Sequence, residues 1–308
     1  MACVRLKDWG AFLLLGSIWG SSFLWIKIAV ADVSPATLAA FRLLFGLIGL
    51  LTVATVTRQR FTTLRSHWRA YLFMGFFNTA FPFIVINWAE TRIDSALAAI
   101  LNATTPLFAF IIAHFWQADE KITATRAAGL ITGFVGVVVL VSREFGPQGV
   151  AGSVWGQVAM LVASMSYALT ANFSRRHLRG HPPLVQATMV VLFADAISWS
   201  VALATDRPFG PPSSALTWFA LAWLGLLGSC VAYMLYFYLL NTVGAGPSSL
   251  VTYVFPVVGL LLGIIFLNEV ADWHLIVGSA LVVGGIVVVN RPAGGRAVPA
   301  RRGVAQES

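Results

Sequence analysis

The sequence predicts an all-α polytopic membrane protein with ten transmembrane helices, arranged as two inverted repeats of five helices. Three observations support this fold class: the composition, ten apolar runs of membrane-spanning length, and an internal match between the halves of the chain. Of the 308 residues, 58% are hydrophobic and only 10% are charged. A water-soluble chain carries about 25% charged residues. This chain therefore has too few charged side chains to cover a soluble globule.

Ten uncharged runs are long enough to cross a bilayer, whose hydrocarbon core of about 30 Å requires roughly 20 helical residues. The first run is too long for the apolar region of a signal peptide, so we expect it to belong to the mature protein. The predicted spans are 9–31, 35–55, 69–89, 95–116, 125–142, 153–173, 184–204, 215–239, 247–267 and 273–290.

The lysine and arginine residues of the connections predict the orientation. Fifteen of them lie at the N-terminus, in alternate connections and in the C-terminal tail, whereas the opposite connections hold three. Because cytoplasmic loops are enriched in these residues, both termini are expected in the cytoplasm. Residues 1–8 then form a cytoplasmic N-terminus, and residues 291–308 form a basic, disordered cytoplasmic tail.

An internal match relates residues 106–136 to residues 256–285. In each copy an acidic residue, Glu120 or Glu269, precedes two glycines by nine and sixteen residues. Asp119 also fits as the equivalent of Glu269, because the first copy is one residue longer between its proline and its acid. The repeats are predicted at 9–142 and 153–290. Since five helices is an odd number, the second repeat must enter the membrane from the opposite face, as in alternating-access transporters.

Paired prolines occupy corresponding places in the two repeats. Pro106 in span 4 and Pro256 in span 9 each remove a backbone donor, and they are predicted to act as hinges. The alternative is that these prolines are simply tolerated, as proline often is in membrane helices.

Several motifs resemble the EamA family of the drug/metabolite transporter superfamily, and the resemblance extends over nearly the whole chain. They include Trp19-Gly20-Ser21-Ser22-Phe23, Asn78-Thr79-Ala80, Trp88-Ala89-Glu90, the stretch from Leu101 to Pro106, and the run from Tyr253 to Glu269. The family includes the YddG-type aromatic amino-acid exporters. The resemblance implies a ten-helix carrier with a central cavity lined mainly by spans 1, 3, 4, 6, 8 and 9. It leaves the substrate open among amino acids, other metabolites and drugs.

Polar side chains inside these spans are the candidate substrate contacts. Each one alone is more often a helix-packing group, but together they describe an amphipathic pocket suited to a small molecule with an apolar part. The predicted substrate-binding residues are Trp19, Asn78, Asn87, Asn102, Tyr167, Tyr233 and Tyr236.

Ionisable residues inside a bilayer are costly, by about 2.5 to 3.5 kcal/mol on insertion scales, so each needs a partner or a function. Arg42 lies about 10 Å deep in span 2, where either an ion pair with Glu90 or a substrate carboxylate would compensate its charge. Lys27 is expected to extend its ammonium to the membrane surface. Asp195 in span 7 is either a hydrogen-bonded acid in a helix interface or a site of proton coupling.

These features predict a secondary transporter, an exporter or facilitator of small organic metabolites, with amino acids that include aromatic or apolar ones as the first candidates. Efflux of drugs or other metabolites is the alternative, and a membrane enzyme is less favoured because no catalytic or nucleotide-binding motif occurs. No cofactor, metal or nucleic acid is expected. The predicted partners are the solute and the lipid bilayer, and the protein is expected to be a monomer or a weak homodimer. Direction and energy coupling are not encoded in any single residue.

Overall fold

The computed structural model describes residues 6–61, 64–116, 122–142, 145–146, 149–150, 153–178, 180–206, 210–242 and 250–289. Helices lie at all ten predicted spans, which confirms the all-α membrane fold class. Two short strands in the connection between spans 5 and 6 pair antiparallel, Phe145–Gly146 with Gly149–Val150. The predicted basic tail, 291–308, lies outside the described residues.

Six of the ten spans are single α-helices, and the other four contain a break or a change of helix type. Spans 1, 2, 5, 6, 7 and 10 are Leu6–Ala29, Pro35–Val56, Ala124–Ser142, Ser153–His177, Pro183–Thr205 and Trp273–Val289. Span 3 is Leu64–Met74, Gly75–Ala80 and Phe81–Glu90, span 4 is Ser95–Asn102 and Thr105–Trp116, span 8 is Ala215–Ala222, Trp223–Val231 and Ala232–Thr242, and span 9 is Leu250–Tyr253 and Val254–Leu267.

Eight of the described helices are long and apolar enough to cross a membrane, and two shorter apolar helices, Val251–Leu267 and Trp273–Val289, form spans 9 and 10. Several helices extend beyond the predicted apolar boundaries. Span 1 begins at Leu6 rather than residue 9, and span 6 continues to His177 rather than residue 173. Hydropathy marks the edge of the hydrocarbon, whereas lysine and arginine are good helix formers that let a helix continue into water.

Irregular backbone appears at corresponding positions of the two repeats. Span 3 contains a π-helical segment at Gly75–Ala80, and span 8, its counterpart, contains one at Trp223–Val231. Such segments occur frequently at functional sites. Hydrophobic periodicity did not predict either segment.

The predicted hinge prolines both lie in the first turn of a helix. Pro106 follows the break between Asn102 and Thr105, and Pro256 follows the change from 3₁₀-helix to α-helix after Tyr253. A proline in the first turn removes a donor that would have no intrahelical partner, so it costs little there. Their hinge function stays a prediction.

The helix contacts are those of an inverted pair of repeats. Span 1 packs on span 9 and span 6 on span 4; likewise span 2 packs on span 8 and span 7 on span 3. If the two repeats are exchanged, the contact of span 1 with span 9 becomes that of span 6 with span 4. The contact of span 2 with span 8 likewise becomes that of span 7 with span 3. Span 6 begins beside the last residues of span 3, since a Cβ at Gly156 would lie 3.2 Å from the Ala89 carbonyl oxygen. Span 1 begins at the opposite end of the bundle, where the Tyr238 hydroxyl donates to Asp8 Oδ1 at 2.7 Å.

We refer to the two ends of the bundle as the Glu90 end and the His181 end. The Glu90 end contains the described residues 30–34, 91–94, 210–214 and 268–272. The His181 end contains residues 180–182 and the start of span 1.

A glycine seam joins span 5 to span 10, the last helix of each repeat. A Cβ at Gly129 would lie 2.8 Å from the Gly285 carbonyl oxygen, and one at Gly136 would lie 2.7 Å from the Val282 nitrogen. Small residues at a helix interface allow such a close approach of two backbones in a membrane. The oligomeric state stays a prediction.

The seam predicts different effects for two neighbouring glycines. In Gly285→Ala the new Cβ would lie 2.5 Å from the Gly133 nitrogen, whereas nothing lies within 4 Å of a Cβ at Gly284. We expect Gly285→Ala to destabilise the protein by about 1 to 3 kcal/mol through overpacking. Gly284→Ala should be neutral or slightly stabilising. Thermal unfolding of the detergent-purified variants measures the difference, and equal melting temperatures would contradict the close packing of the seam.

Candidate substrate pocket and the Glu90 end

Arg42 is buried in span 2, and no carboxylate among the described residues forms a salt bridge with it. Span 2 begins at Ser34, whose hydroxyl accepts a hydrogen bond from the Thr37 amide at 3.1 Å and so caps the helix. Two turns later Arg42 is only 5% exposed. Its Nε is enclosed without a hydrogen-bond partner in the described part of the chain. Its Cζ lies 3.9 Å from the centroid of the Phe83 ring, a cation–π contact.

Space beside the guanidinium is left by a glycine. A Cβ at Gly228 would lie 3.6 Å from Arg42 Nη2 and 3.5 Å from Ser22 Oγ, which are ordinary contact distances. Tyr167 and Tyr233 lie within electrostatic range of the same guanidinium. We call this site the Arg42 pocket; its residues are Trp19, Ser22, Arg42, Phe83, Tyr167, Gly228 and Tyr233.

Aromatic rings form one wall of the Arg42 pocket. The Trp19 ring centroid lies 6.4 Å from that of Tyr233, 5.7 Å from that of Tyr236 and 6.0 Å from that of Phe255. These rings bring spans 1, 8 and 9 together. Such a wall offers apolar faces with polar tips, which suits a solute that has both kinds of surface.

The π-helical segments are held by side chains from the other repeat. The Trp19 indole nitrogen donates to the Gly228 carbonyl oxygen at 3.0 Å, and the Ser166 hydroxyl donates to the Phe77 carbonyl oxygen at 2.5 Å. A π-helical turn frees carbonyl groups that need partners inside a membrane. The first helix of each repeat therefore satisfies the irregular third helix of the other.

Asn78 links three spans through its side chain. Its Oδ1 accepts from the Thr170 hydroxyl at 3.0 Å, and its Nδ2 lies 3.3 Å from Thr79 Oγ1. The Tyr233 hydroxyl also hydrogen-bonds to the side chains of Asn78 and Thr79. Asn78 thus lies beside the Arg42 pocket and positions Tyr233.

Other predicted residues lie apart from this pocket. Asn87 is fully buried, and its Nδ2 donates to the Pro35 carbonyl oxygen at 2.9 Å, so it joins span 3 to the start of span 2. Asn102 ends the first helix of span 4, and its Oδ1 is enclosed without a partner in the described part of the chain. Asp195 is 9% exposed in span 7, and the Trp199 side chain hydrogen-bonds to it.

The predicted ion pair between Arg42 and Glu90 does not form among the described contacts. No oxygen of Glu90 lies within the 4.0 Å that defines a salt bridge to Arg42, and both carboxylate oxygens are enclosed without hydrogen-bond partners in the residues described. Glu90 is 0% exposed. The two groups lie at different depths, since Glu90 is the last residue of span 3.

Lys27 extends its ammonium to the Glu90 end of the bundle, where it meets the last residue of span 3 and the connection that follows it. Its Nζ donates to the Glu90 carbonyl oxygen at 2.8 Å and to the Ile93 carbonyl oxygen at 2.6 Å. A cation at the C-terminal carbonyls of a helix satisfies acceptors that have no intrahelical donor and interacts favourably with the helix dipole. Lys27 therefore fixes the end of span 3 to span 1.

Glu269 connects the two repeats at the Glu90 end. Its Oε1 accepts from the Ser95 amide at 2.7 Å and its Oε2 from the Ala96 amide at 3.0 Å, so it caps the N-terminus of span 4. Any side chain at Gly263 would collide with this carboxylate. The repeat match marked Glu269, but its capping function depends on a helix 174 residues away. Its counterparts Asp119 and Glu120 lie outside the described residues.

Two further carboxylates join the repeats at this end. Asp206 Oδ2 accepts from the hydroxyls of Ser34 and Thr37, the latter at 2.5 Å. Asp32 accepts from the Ser213 hydroxyl at 2.5 Å and from the Ser214 amide at 3.1 Å. The hydroxyl of Ser213, with that of Thr217 and the Ser214 amide, lowers the pKa of Asp32 to about 2. Sequence inspection missed these acids, since each lies in a connection and acts on the other repeat.

The His181 end has its own contact between the repeats. The Tyr71 hydroxyl lies 2.7 Å from His181 Nδ1, and the His67 and His181 rings are 4.5 Å apart between centroids. Partial burial, with the charge of His67 as the second cause, lowers the pKa of His181.

A lateral groove of about 470 Å³ at the Glu90 end is separate from the Arg42 pocket. It is almost entirely apolar and is bounded by spans 2, 3, 6 and 7. Its lining residues are Ser34, Pro35, Ala36, Ile84, Val85, Trp88, Ala159, Val162, Val201, Thr205 and Asp206.

Comparison with known proteins identifies the family. The model of the EamA-like transporter family matches the chain twice, at residues 8–142 and 154–291. The chain belongs to the EamA-like transporter family. Each match contains five of the ten spans, so the family unit occurs once in each half of the chain. The sequence-based resemblance to EamA proteins is confirmed.

Relatives of similar length are also transporters by name. The chain is 27% identical to the uncharacterized transporter YdfC of Bacillus subtilis over 276 residues, 89% of this chain and 87% of that protein. It is 28% identical over 265 residues to the uncharacterized inner membrane transporter YedA of Escherichia coli, 84% of this chain and 82% of that protein. A solved crystal structure superposes with a TM-score of 0.68 at 21% identity, covering 92% of this chain and 97% of that one, which supports the fold.

The cap that Glu269 provides yields a testable prediction. Glu269→Gln removes the charge and one acceptor, so we expect span 4 to lose about 0.5 to 2 kcal/mol of local stability. Hydrogen exchange at the Ser95 and Ala96 amides should become faster. Asp272→Asn is the matched control, because Asp272 Oδ1 accepts from the Leu275 amide at 2.9 Å and so caps only its own helix, span 10. Unchanged exchange at Ser95 in Glu269→Gln would contradict the cap.

Proposed function

We propose that this EamA-family membrane transporter is a secondary carrier, an exporter or facilitator, of small organic metabolites that bear a carboxylate and an apolar part. Amino acids, including aromatic and apolar ones, are the first candidates. The Arg42 pocket is the proposed binding site. The observation that supports it is a buried guanidinium whose Nε has no hydrogen-bond partner among the described residues.

A buried cation without a partner is costly, so its persistence suggests a ligand. The Phe83 ring offsets part of this cost, since a cation–π contact contributes about 0.5 to 2 kcal/mol. The ring cannot accept the in-plane N–H bonds of a guanidinium. A carboxylate matches that planar set of donors and can accept two of them at once.

The aromatic wall favours solutes with an apolar or aromatic side chain. With a carboxylate on Arg42, the rest of a small solute would extend along Trp19, Tyr167 and Tyr233. Offset or edge-on contacts between aromatic rings contribute about 0.5 to 1.5 kcal/mol beyond the area that they bury. The fixed positive charge disfavours lipophilic cations as cargo. Efflux of neutral drugs or other metabolites is the alternative function.

Two inverted repeats that meet around a central pocket suit transport by alternating access. Cross-repeat contacts occur at both ends, Glu269 with span 4 at one and Tyr71 with His181 at the other. Breaking one set while keeping the other would open the Arg42 pocket to one side at a time. The helix break before Pro106 and the change of helix type before Pro256 are the proposed hinges.

Arg42→Gln tests the binding site. In proteoliposomes we expect counterflow of labelled tryptophan, phenylalanine or leucine, with tryptamine, which lacks the carboxylate, transported far less well. Arg42→Gln should weaken apparent affinity for the amino acids about tenfold to a hundredfold, because a hydrogen bond to a charged group contributes about 1.5 to 3 kcal/mol.

Arg92→Gln is the matched control. Arg92 also stacks on an aromatic ring, with its Cζ 3.7 Å from the Trp88 centroid, but it is exposed at the Glu90 end. Its replacement should leave transport unchanged. Equal transport of tryptamine and tryptophan would refute carboxylate recognition, and absence of flux for all the amino acids tested would favour the alternative cargo.

We also propose that the Glu90 end faces the periplasm and that both termini are cytoplasmic, in a bacterial inner membrane. The excess of lysine and arginine on one set of connections supports this orientation. In a Cys3→Ser background, in which Cys230 is buried, Gly210→Cys should react with a membrane-impermeant maleimide added to intact cells. His177→Cys should react only after lysis. The reverse pattern would invert the proposed orientation.

A further inference from the structure

We infer that Glu90 binds a proton and that it must be protonated for the Glu90 end to close. The inference is independent of what the Arg42 pocket binds. It starts from the location of the carboxyl group, at the last residue of span 3 and 0% exposed. Both of its oxygens are enclosed, and neither has a hydrogen-bond partner in the described part of the chain.

Three charged groups act on this carboxyl group from the elements around it: Lys27 of span 1, Glu269 after span 9, and Arg42 of span 2. None of the three neutralises it directly. The ammonium of Lys27 already donates to two carbonyl oxygens and forms no salt bridge with the Glu90 carboxylate. Glu269 is a second negative charge, held in place by the Ser95 and Ala96 amides.

An ionised Glu90 would therefore be a buried anion without a hydrogen bond, attracted by Lys27 and Arg42 without a salt bridge and repelled by Glu269. Such a charge is costly to bury, whereas a neutral carboxylic acid costs far less. The closed arrangement suits a protonated Glu90.

A contact between the repeats lies at the same end as Glu90. Glu269 joins the second repeat to the start of span 4, while Lys27 binds the backbone oxygen of Glu90 within the first repeat. Separation of the repeats would admit water to the carboxyl group. Hydration, with Lys27 and Arg42 nearby, would then favour the carboxylate, and the proton would pass to water at the Glu90 end.

Proton binding that accompanies closure makes the conformational equilibrium depend on pH. The open form binds one proton fewer than the closed form, so raising the pH favours opening. The ratio of open to closed protein should rise by up to about tenfold per pH unit, as required by linkage to a single proton. Acidic pH should favour closure. Both measurements below are made without solute, so a failure of the proposed amino-acid transport would leave their outcomes unaffected.

Infrared spectroscopy of the purified protein in lipid tests the protonation directly. We expect a carbonyl band of a protonated carboxylic acid near neutral pH that is reduced in Glu90→Gln. Asp195→Asn is the control, because it removes another buried acid and should leave the Glu90 component in place. If Glu90→Gln leaves the acid band unchanged, or if wild type has no such band, the inference is overturned.

Cysteine labelling tests the link to closure in a background that keeps Glu90, so it does not depend on the folding of a Glu90 variant. Ser95→Cys places a thiol where the side chain is 1% exposed. Because every thiol ionises and reacts faster as the pH rises, the labelling rate is divided by that of Gly210→Cys, which lies at an exposed position. The corrected labelling rate of Ser95→Cys should rise with pH. Adding Glu90→Gln should make it slow and independent of pH. A corrected rate that does not vary with pH while Glu90 is present would overturn the inference.

Discussion

The hydrocarbon core of a bilayer supplies no hydrogen-bond partners, and this constraint determines where the chain can depart from regular helix. Regular helices satisfy their own backbone groups, so they require nothing from the rest of the protein. The π-helical segments of spans 3 and 8 do require partners. Their carbonyl groups at Phe77 and Gly228 receive donors from Ser166 and Trp19, which belong to the opposite repeat. Neither repeat could form this irregular backbone in the membrane without the other.

Contacts between the repeats also form the glycine seam and the Glu90 end. Spans 5 and 10 approach so closely that Gly285 has no room for a side chain. At the Glu90 end, by contrast, the repeats are joined by hydrogen bonds from carboxylates to helix termini and hydroxyls. Such bonds can be exchanged for water when the end opens, whereas backbone packed against backbone cannot.

The functions proposed for Arg42 and Glu90 differ because their surroundings differ. Arg42 lies against an aromatic ring and beside Gly228, where a Cβ would make only ordinary contacts. Glu90 is fully enclosed, so only a proton can change its charge without moving the helices. The proposed solute recognition at Arg42 and the proposed pH dependence at Glu90 therefore belong to separate places in the bundle.

The sequence by itself determined the fold class, the ten spans and the two repeats, because hydrophobic length and proline–acid–glycine spacing are local properties of the chain. It also marked Trp19, Arg42, Tyr167 and Tyr233 as candidates, since polar groups in apolar runs are conspicuous. Tertiary structure decided which of these residues meet, placing Asn87 in a helix contact and separating Glu90 from Arg42. It also assigned Lys27 and Glu269 to helix termini far away in sequence. A hydrogen bond between distant segments depends on how helices pack, and no local pattern encodes that arrangement.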